Sequence, residues 1–248
     1  MSRYKLIALD MDGTLLTEDK KVSEENKAAL RAARDAGITV IFSTGRGVQN
    51  VLPYVEELHM TESPLVVVNG GEVYRKPGML VERHTLTTDQ VTRLHELALQ
   101  HDTWYWAYSV GDIYNKDRWA EPQELDALQW LKFGYYTDNN SSLAAIREEL
   151  LSWGTLELSN SHPNNLELNP KGIHKASGIR KVCELLGLQM SEVIAMGDSL
   201  NDVAMIREAG LGVAMGNAQD EVKALADVVT LTNEEHGVAH IIRKYALI

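Results

Sequence analysis

The chain has 248 residues, of which 44% are hydrophobic and 24% are charged, and its formal net charge is −11 at pH 7. This length allows one large domain or two smaller ones, and the acidic balance argues against nucleic acids and anionic membrane surfaces as partners. The single cysteine, Cys183, excludes an intramolecular disulfide and a four-cysteine zinc site. Because the sequence shows no signal-like segment and no run of about 18 apolar residues, we expect a cytoplasmic protein.

The first predicted element is a short, nearly all-apolar strand from Leu6 to Leu9, as expected of a strand that is covered on both faces. It ends at Asp10 and Asp12, and Gly13 then allows the chain to turn. Acidic residues just after a central strand stand where open α/β sheets bind ligands. The alternative is that the two aspartates only begin a solvated turn.

The next segment alternates helices and strands. Ser23 is expected to cap a helix that stops at Gly37, and a second helix passes through Val55. The strands that follow these helices end in polar or glycine-rich residues. They are residues 38–42, which precede Thr44, Gly45 and Arg46, and residues 64–68, which precede Asn69 and Gly70. This alternation predicts a doubly wound parallel sheet.

From residue 83 the pattern changes to that of an inserted α+β domain, for which we predict the bounds 83–170. All five tryptophans lie between positions 104 and 153. The expected elements are helices from Thr87 to about Ala98, over 121–130 and over 141–153, a hairpin over 103–114, and strands over 156–159 and 165–169. Trp104, Trp106 and Tyr108 alternate on one strand face, which indicates either core packing or a roof over the substrate.

After Pro170 the parallel pattern returns, so residues 1–82 and 171–248 are predicted to form one core domain. We expect a helix over 174–186 that ends at Gly187 and carries Cys183 on its buried side. A strand over 192–196 then stops at Gly197 and Asp198. The remaining expected elements are helices over 204–209 and 220–226 and strands over 210–215 and 228–231, followed by residues 236–245 without an assigned element.

In such a sheet, the residues that follow the core strands meet at one edge. Asp10 and Asp198 would then be able to hold a hard cation such as Mg²⁺, which prefers oxygen ligands. The hydroxyl of Thr44, the backbone near Gly45 and the ammonium of Lys175 would bind phosphate oxygens. Within such a site, one carboxylate can attack phosphorus and a second can serve as acid and base.

Four motifs occur in order along the chain, each beside a predicted strand or helix. They are D-M-D-G-T-L (residues 10–15), S-T-G-R (43–46), the lysine of G-I-H-K (172–175) and G-D-S-L-N-D (197–202). With these motifs the chain resembles the haloacid dehalogenase superfamily, and within it the Cof-type group of sugar-phosphatase-like enzymes with a large C2B-type α/β cap. The resemblance covers essentially the whole chain, and it implies a Rossmann-like core and a cap that closes over the substrate.

The resemblance also implies roles for single residues. Asp10 would be the nucleophile and a metal ligand, and Asp12 the general acid and base, with its main-chain carbonyl also reaching Mg²⁺. Thr44 and Gly45 would bind the phosphoryl group, Lys175 would neutralise charge, and Asp198 would bind Mg²⁺. The remaining expected residues are Asn201 and Asp202 as near or supporting groups, and Arg46, Asn69 and Gly70 as substrate contacts.

The expected reaction is therefore Mg²⁺-dependent hydrolysis of a small phosphorylated metabolite, such as a sugar phosphate, through an aspartyl phosphate. A phosphotransferase or phosphomutase that uses the same site is an alternative, and a non-catalytic regulator that binds a phosphorylated ligand is another. Arg46 either contacts substrate or pairs with an acidic neighbour. The protein is expected to be a monomer or a small homo-oligomer, and the metabolite is not identified by the sequence.

Overall fold

The computed structural model describes residues 2–247, which form an α/β protein with two β-sheets. The strands are β1 (Leu6–Leu9), β2 (Thr39–Ser43), β3 (Leu65–Val67), β4 (Glu72–Lys76), β5 (Met79–Arg83), β6 (Trp104–Ser109), β7 (Asp112–Asn115), β8 (Trp130–Tyr136), β9 (Leu156–Ser159), β10 (Asn165–Pro170), β11 (Val193–Gly197), β12 (Leu211–Ala214) and β13 (Val228–Val229). The α-helices are α1 (Glu24–Asp35), α2 (Leu52–Glu57), α3 (Thr88–Gln100), α4 (Asn140–Trp153), α5 (Lys175–Leu186), α6 (Val203–Glu208), α7 (Asp220–Leu225) and α8 (Gly237–Ile241). None of these helices has the length and hydrophobicity that a membrane span requires.

The larger sheet has eight strands in the order β13-β12-β11-β1-β2-β3-β4-β5. The strands from β13 to β3 pair in parallel, whereas β4 and β5 add two antiparallel pairs at one edge. Ile7 and Leu9 of β1 pack into the hydrophobic cluster on one face of the sheet, and Leu6 and Ala8 into the cluster on the other. Cover on both faces explains why this strand is apolar at every position.

The smaller sheet is antiparallel, has the order β7-β6-β8-β10-β9, and lies in sequence between β5 and α5. One of its faces packs against α3 and α4, where Tyr105, Phe133 and Leu168 join a separate hydrophobic cluster. The other face carries charged residues that contact loops of the larger sheet, as described below. The predicted fold class, a parallel-sheet core with a separate α+β cap, is confirmed; the domain bounds at 82/83 and 170/171 stay a prediction.

Several local predictions are confirmed together with their causes. The Ser23 hydroxyl accepts a hydrogen bond from the Asn26 N–H at the start of α1, and Thr87 with Gln90 forms a reciprocal capping box at the start of α3. Gly187 ends α5 in a left-handed conformation with a φ of 69°. Cys183 is buried in the cluster that packs α5 on the sheet.

The helix predicted over 121–130 is wrong. This segment contains only a 3₁₀ turn at Leu125–Ala127, and Trp130 already belongs to β8. Trp130 pairs with Ser109 and with Leu86, so long-range ladder pairing overrides the helix-like spacing of its apolar neighbours. The hairpin of β4 and β5 was not predicted, and the last strand is shorter than expected, covering Val228–Val229 rather than 228–231.

Candidate active site

Asp10 and Asp198 are brought together by the pairing of two parallel strands from opposite ends of the chain. β1 pairs with β11 with Leu9 opposite Met196, and the Asp10 N–H donates to the Met196 carbonyl at 3.0 Å. Each aspartate therefore follows its strand at the same edge of the sheet. One oxygen each from Asp10, Asp198 and Asp202 lies within 4.8 Å of the others.

Lys175 is completely buried and lies between two of these carboxylates. Its Nζ donates to Asp10 Oδ1 and to Asp202 Oδ1, each at 2.6 Å. Burial alone would lower the pKa of this ammonium, but the charges of Asp10 and Asp202 raise it above its usual value, so Lys175 stays charged. For Asp10 the balance is reversed: burial and the nearby Asp202 and Asp198 raise its pKa well above the usual value despite Lys175.

Asp202 shapes the loop that carries Asp198. Its Oδ2 accepts the backbone N–H groups of Asp198 and Ser199 at 2.9 and 3.0 Å, while its Oδ1 is bound by Lys175. Both oxygens of this carboxylate are thus engaged within the protein. The role of Asp202 as a near or supporting group stays a prediction.

Asp198 lies close to the turn after β1. Its oxygens accept the hydroxyls of Thr14 at 3.1 Å and Ser199 at 2.8 Å. Burial and the charge of Asp202 raise its pKa to about 6. A Cβ at Gly13, where φ is 78°, would lie 2.6 Å from Asp198 Oδ2, so only glycine permits this approach.

This group of carboxylates fits a hard divalent cation. Burial and the neighbouring carboxylate of Asp202 raise the pKa of both Asp10 and Asp198, and a bound cation would favour their charged forms. Their oxygens are the ligand type that Mg²⁺ prefers, and Mg²⁺ commonly uses only one or two carboxylates together with phosphate. Because Asp202 is engaged elsewhere, Asp10 and Asp198 are the better ligands.

Asp12 is held by two cations at the wall of the cavity. Arg46 Nε and Nη2 donate to its two oxygens at 2.7 Å each, and Lys20 Nζ donates to Oδ1 at 2.7 Å. Partial burial by itself would raise the pKa of Asp12, but these hydrogen bonds and charges lower it to about 2. Of the two interpretations for Arg46, the structure therefore shows the pairing with an acidic neighbour.

The remaining predicted residues divide into those that line a cavity together with Asp10 and Asp12, which are Thr44, Gly45 and Asn201, and those that do not, which are Asn69 and Gly70. Thr44 is buried at the end of β2, where its hydroxyl accepts the Arg46 N–H at 3.2 Å, and Asn201 donates to Asn69 Oδ1 at 3.2 Å. Gly45 and Asn201 line the same cavity as Asp10 and Asp12. Gly70 lies against the start of α5, where an added Cβ would be 2.4 Å from the His174 carbonyl oxygen. It is not among the described residues that line this cavity.

The smaller sheet supplies cavity residues that the sequence analysis missed. Lys132 of β8 donates to the Gly45 carbonyl at 2.9 Å and lies 3.3 Å from Glu167 of β10. Glu167 also accepts from Asn69 Nδ2 at 2.6 Å. A signal was present in the sequence, because each of these charged residues interrupts an apolar strand at a position that alternation assigns to one face.

Aromatic residues of β6 lie on the face of the smaller sheet that carries Lys132. Tyr108 is directly opposite Lys132 in the ladder and lines the cavity, whereas Trp104 is 39% exposed. Tyr105 and Ala107 instead point into the hydrophobic cluster of the smaller sheet. Although α3 and α4 cover the opposite face, both interpretations of this face agree with the structure at Tyr108, which packs half-buried against the hydrophobic cluster of the larger sheet and also lines the cavity.

Together these residues enclose one cavity of about 280 Å³ between the two sheets. Its size suits a small molecule, at the low end of ordinary ligand pockets. The lining residues are Asp10, Asp12, Lys20, Thr44, Gly45, Arg46, Tyr108, Lys132, Ser161, Glu167, Ser199 and Asn201. Such a set of a buried carboxylate beside a lysine, with hydroxyl and backbone donors nearby, is suited to phosphoryl transfer.

Comparisons with known proteins agree with this chemistry. A family model described as haloacid dehalogenase-like hydrolase matches residues 7–242. The chain is 46% identical over 243 residues to the 5-amino-6-(5-phospho-D-ribitylamino)uracil phosphatase YcsE of Bacillus subtilis, covering 98% of this chain and 96% of that protein. It is 30% identical to the phosphatase YwpJ of the same organism, covering 96% and 99%.

Solved structures show the same architecture. A haloacid dehalogenase-like hydrolase from Bacteroides thetaiotaomicron aligns with a TM-score of 0.80 and 33% identity, covering 97% of this chain and 99% of that one. A haloacid dehalogenase-like hydrolase from B. subtilis aligns with a TM-score of 0.88 and 28% identity, covering 96% and 99%.

Proposed function

Because the chain belongs to the haloacid dehalogenase-like hydrolases and is a phosphomonoester hydrolase, we propose that Asp10 is the nucleophile in the hydrolysis of a small phosphorylated metabolite. The observation that carries this assignment is the buried contact of Lys175 with both Asp10 and Asp202 at 2.6 Å. Lys175 holds Asp10 at the strand end and offsets the negative charge that a phosphoryl group brings.

In the first step an Asp10 oxygen attacks phosphorus, and the bond from phosphorus to the ester oxygen breaks. Asp12 gives a proton to the departing oxygen, which leaves as an alcohol. In the second step Asp12 takes a proton from water, the water oxygen attacks phosphorus, and the aspartyl bond breaks to release phosphate and restore Asp10. Thr44 and the N–H of Gly45 bind the phosphoryl oxygens in both steps.

Asp12 has to gain a proton before it can act as an acid, and its contacts with Arg46 and Lys20 oppose this. The incoming substrate offers these two cations other acceptors. As Arg46 and Lys20 turn toward the substrate, the pKa of Asp12 rises and protonation becomes accessible. Arg46 and Lys20 therefore contact substrate only after exchanging their present partner, which reconciles both interpretations of Arg46.

We assign a Mg²⁺ site to the carboxylates of Asp10 and Asp198 and the main-chain carbonyl of Asp12. When bound there, Mg²⁺ would neutralise charge on the phosphoryl oxygens and help to orient them. Asp202 keeps the loop of Asp198 in place through its two backbone contacts. A cytoplasmic location stays a prediction from the sequence.

The first substrate to test is 5-amino-6-(5-phospho-D-ribitylamino)uracil, because three relatives from B. subtilis, YcsE, YitU and YwtE, are phosphatases of that compound by name. A fourth relative, YbhA of Escherichia coli, is a pyridoxal phosphate phosphatase, so this compound and simple sugar phosphates complete the panel. All of them are small phosphomonoesters, in keeping with the cavity volume of about 280 Å³.

The test is phosphate release from this panel and from p-nitrophenyl phosphate, with Mg²⁺ and after chelation. Asp10→Asn should lose at least about 10³-fold in rate, since it removes the nucleophile. Asp117→Asn, an exposed change in the smaller domain, is the matched control and should keep the wild-type rate. Unchanged turnover in Asp10→Asn would overturn the assignment, and absence of net phosphate release with transfer between sugars would favour a phosphomutase.

A further inference from the structure

Lys132 and Glu167 form an ion pair in the roof of the cavity. Their side chains are 2% and 6% exposed, and Lys132 Nζ lies 3.3 Å from Glu167 Oε1. Each also contacts the core, Lys132 through the Gly45 carbonyl and Glu167 through Asn69. The pair is therefore held against the loops that carry Gly45 and Asn69 and contributes no net charge to the cavity.

The other cations at the site are paired in the same way. Lys20 and Arg46 both bind Asp12, and Lys175 binds Asp10 and Asp202. Among the described residues, three cations line the cavity, Lys20, Arg46 and Lys132, and each contacts a carboxylate, as does the buried Lys175 beside it. The charge of one phosphoryl group would be met by the divalent ion assigned above.

When Arg46 and Lys20 turn toward the phosphoryl group, a second anionic group near β8 and β10 would still find only Lys132 among the described residues there, and Lys132 is paired with Glu167. Placing the second anionic group against Glu167 would bury two like charges, which is costly when nothing compensates them. A hydroxyl group suits the same place, because it can donate to the Glu167 carboxylate and accept from the Lys132 ammonium. Ser161 already shows this contact, since its hydroxyl donates to Glu167 Oε1 at 3.0 Å.

We propose that Lys132 and Glu167 are specificity residues that select phosphomonoesters whose leaving group is uncharged and hydroxylated, and reject those with a second phosphate or a carboxylate. This inference rests on the proposed function, because it concerns the leaving group of that reaction. Both residues act on the part of the substrate that departs with the ester oxygen. Neither touches the phosphorus atom or the nucleophile.

The sharpest probes are D-ribitol 5-phosphate and 5-phospho-D-ribonate, which differ only in a terminal CH₂OH or carboxylate. The ratio of their kcat/KM values, or of their inhibition constants against p-nitrophenyl phosphate where turnover is slow, measures the selection. The wild-type protein should favour ribitol 5-phosphate by at least about tenfold, as expected for a buried unpaired charge.

Glu167→Gln removes the repelling charge and leaves Lys132 available to the carboxylate, so the ratio should fall at least about tenfold and approach or pass unity. Lys132→Gln leaves Glu167 unpaired and should raise the ratio in favour of ribitol 5-phosphate, which provides a second test if Glu167→Gln does not fold. A general loss of structure would lower both values together and leave the ratio unchanged.

The outcomes separate the two proposals. If the wild-type protein releases no phosphate from any probe, including p-nitrophenyl phosphate, the proposed function fails. The function stands and the specificity inference is overturned if the protein hydrolyses p-nitrophenyl phosphate but shows no preference between D-ribitol 5-phosphate and 5-phospho-D-ribonate. The same conclusion follows if both variants keep the wild-type ratio of kcat/KM values.

Discussion

Arg46 binds both carboxylate oxygens of Asp12 with two parallel hydrogen bonds, each 2.7 Å long. This forked contact is the strongest kind of pairing between arginine and a carboxylate, and a lysine cannot reproduce it. In the substrate-free protein it keeps Asp12 ionised, so the residue expected to donate a proton is held in its charged form. Substrate binding has to change this contact.

Replacing Arg46 should raise the pKa of Asp12. Arg46→Met removes two hydrogen bonds and a charge, so the pKa should move from about 2 toward the ordinary value of an aspartate, while Arg46→Lys should give a smaller rise. Titration of the carboxyl carbon of Asp12 by NMR in metal-free protein measures the shift. A pKa that is the same in all three proteins would show that Arg46 does not control Asp12.

Asp198 and Asp202 should respond to amidation in opposite ways. Asp198→Asn removes a carboxyl group whose pKa is raised to about 6 by burial and by Asp202, so its ionised form is disfavoured in the folded protein. The metal-free variant should therefore be at least as stable as the wild type at pH 7.5. Asp202→Asn removes a charge opposite Lys175 and replaces one of two acceptor oxygens by an NH2 group, so either Lys175 or the two backbone N–H groups lose their acceptor. Its free energy of unfolding should therefore fall by about 3 kcal/mol.

Urea denaturation of both variants provides the comparison, and circular dichroism checks that each is folded at the start. Phosphatase activity should be lost in both, because Asp198→Asn removes a proposed metal ligand and Asp202→Asn removes the hydrogen bonds that support its loop. Equal destabilisation by the two changes would contradict the separate roles assigned to these aspartates.

Gly134 should not tolerate alanine, because Trp106 lies across it. A Cβ at position 134 would be 2.3 Å from the Trp106 ring, and the two residues are opposite each other in the ladder of β6 and β8. We expect Gly134→Ala to cost about 1–3 kcal/mol in stability and to shift the tryptophan emission, since the ring has to move. The double variant with Trp106→Leu should recover most of that stability; no recovery would rule out the clash.

His95 should make the protein less stable at mildly acidic pH. Burial lowers its pKa, against a smaller opposite effect of Glu96, while its ring stacks on Trp119 and its Nε2 lies 2.9 Å from the Tyr105 hydroxyl. With the pKa lowered in the folded state, the unfolded chain binds more protons as the pH falls through about 6.5, so stability decreases from pH 7.5 to 5.5.

Urea midpoints at the two pH values measure this effect. His95→Gln should reduce the difference between them, whereas His240→Gln, at an exposed position on α8, should not. A pH dependence that is identical with and without His95 would contradict the prediction.

The catalytic half of the site could be predicted because parallel strands deliver their following residues to one edge. Asp10, Thr44 and Asp198 each directly follow a buried strand of the parallel sheet, so local patterns were sufficient to place them at one edge of that sheet. Lys175 was harder, since nothing local distinguishes it from an exposed helix lysine; its burial results from the packing of α5 against the sheet.

The roof could not be predicted in the same way. Lys132 and Glu167 approach Gly45 and Asn69 only because the smaller sheet docks with that face toward the core, and docking depends on contacts far apart in sequence. Trp130 is a second example. The apolar residues of 121–130 are spaced as in a helix, but the pairing of Trp130 with β6 makes it part of a strand.

The adjacency of β1 and β11 has a consequence for how the protein is made. Asp10 is synthesised early. Asp198, which lies beside it, and Asp202, which binds Lys175, are translated only when about four-fifths of the chain has been made. Pairing of segments so distant in sequence is slow and comes late in assembly. A nascent or truncated chain should accordingly carry the proposed nucleophile, Asp10, but be unable to hydrolyse phosphate esters until synthesis is nearly complete.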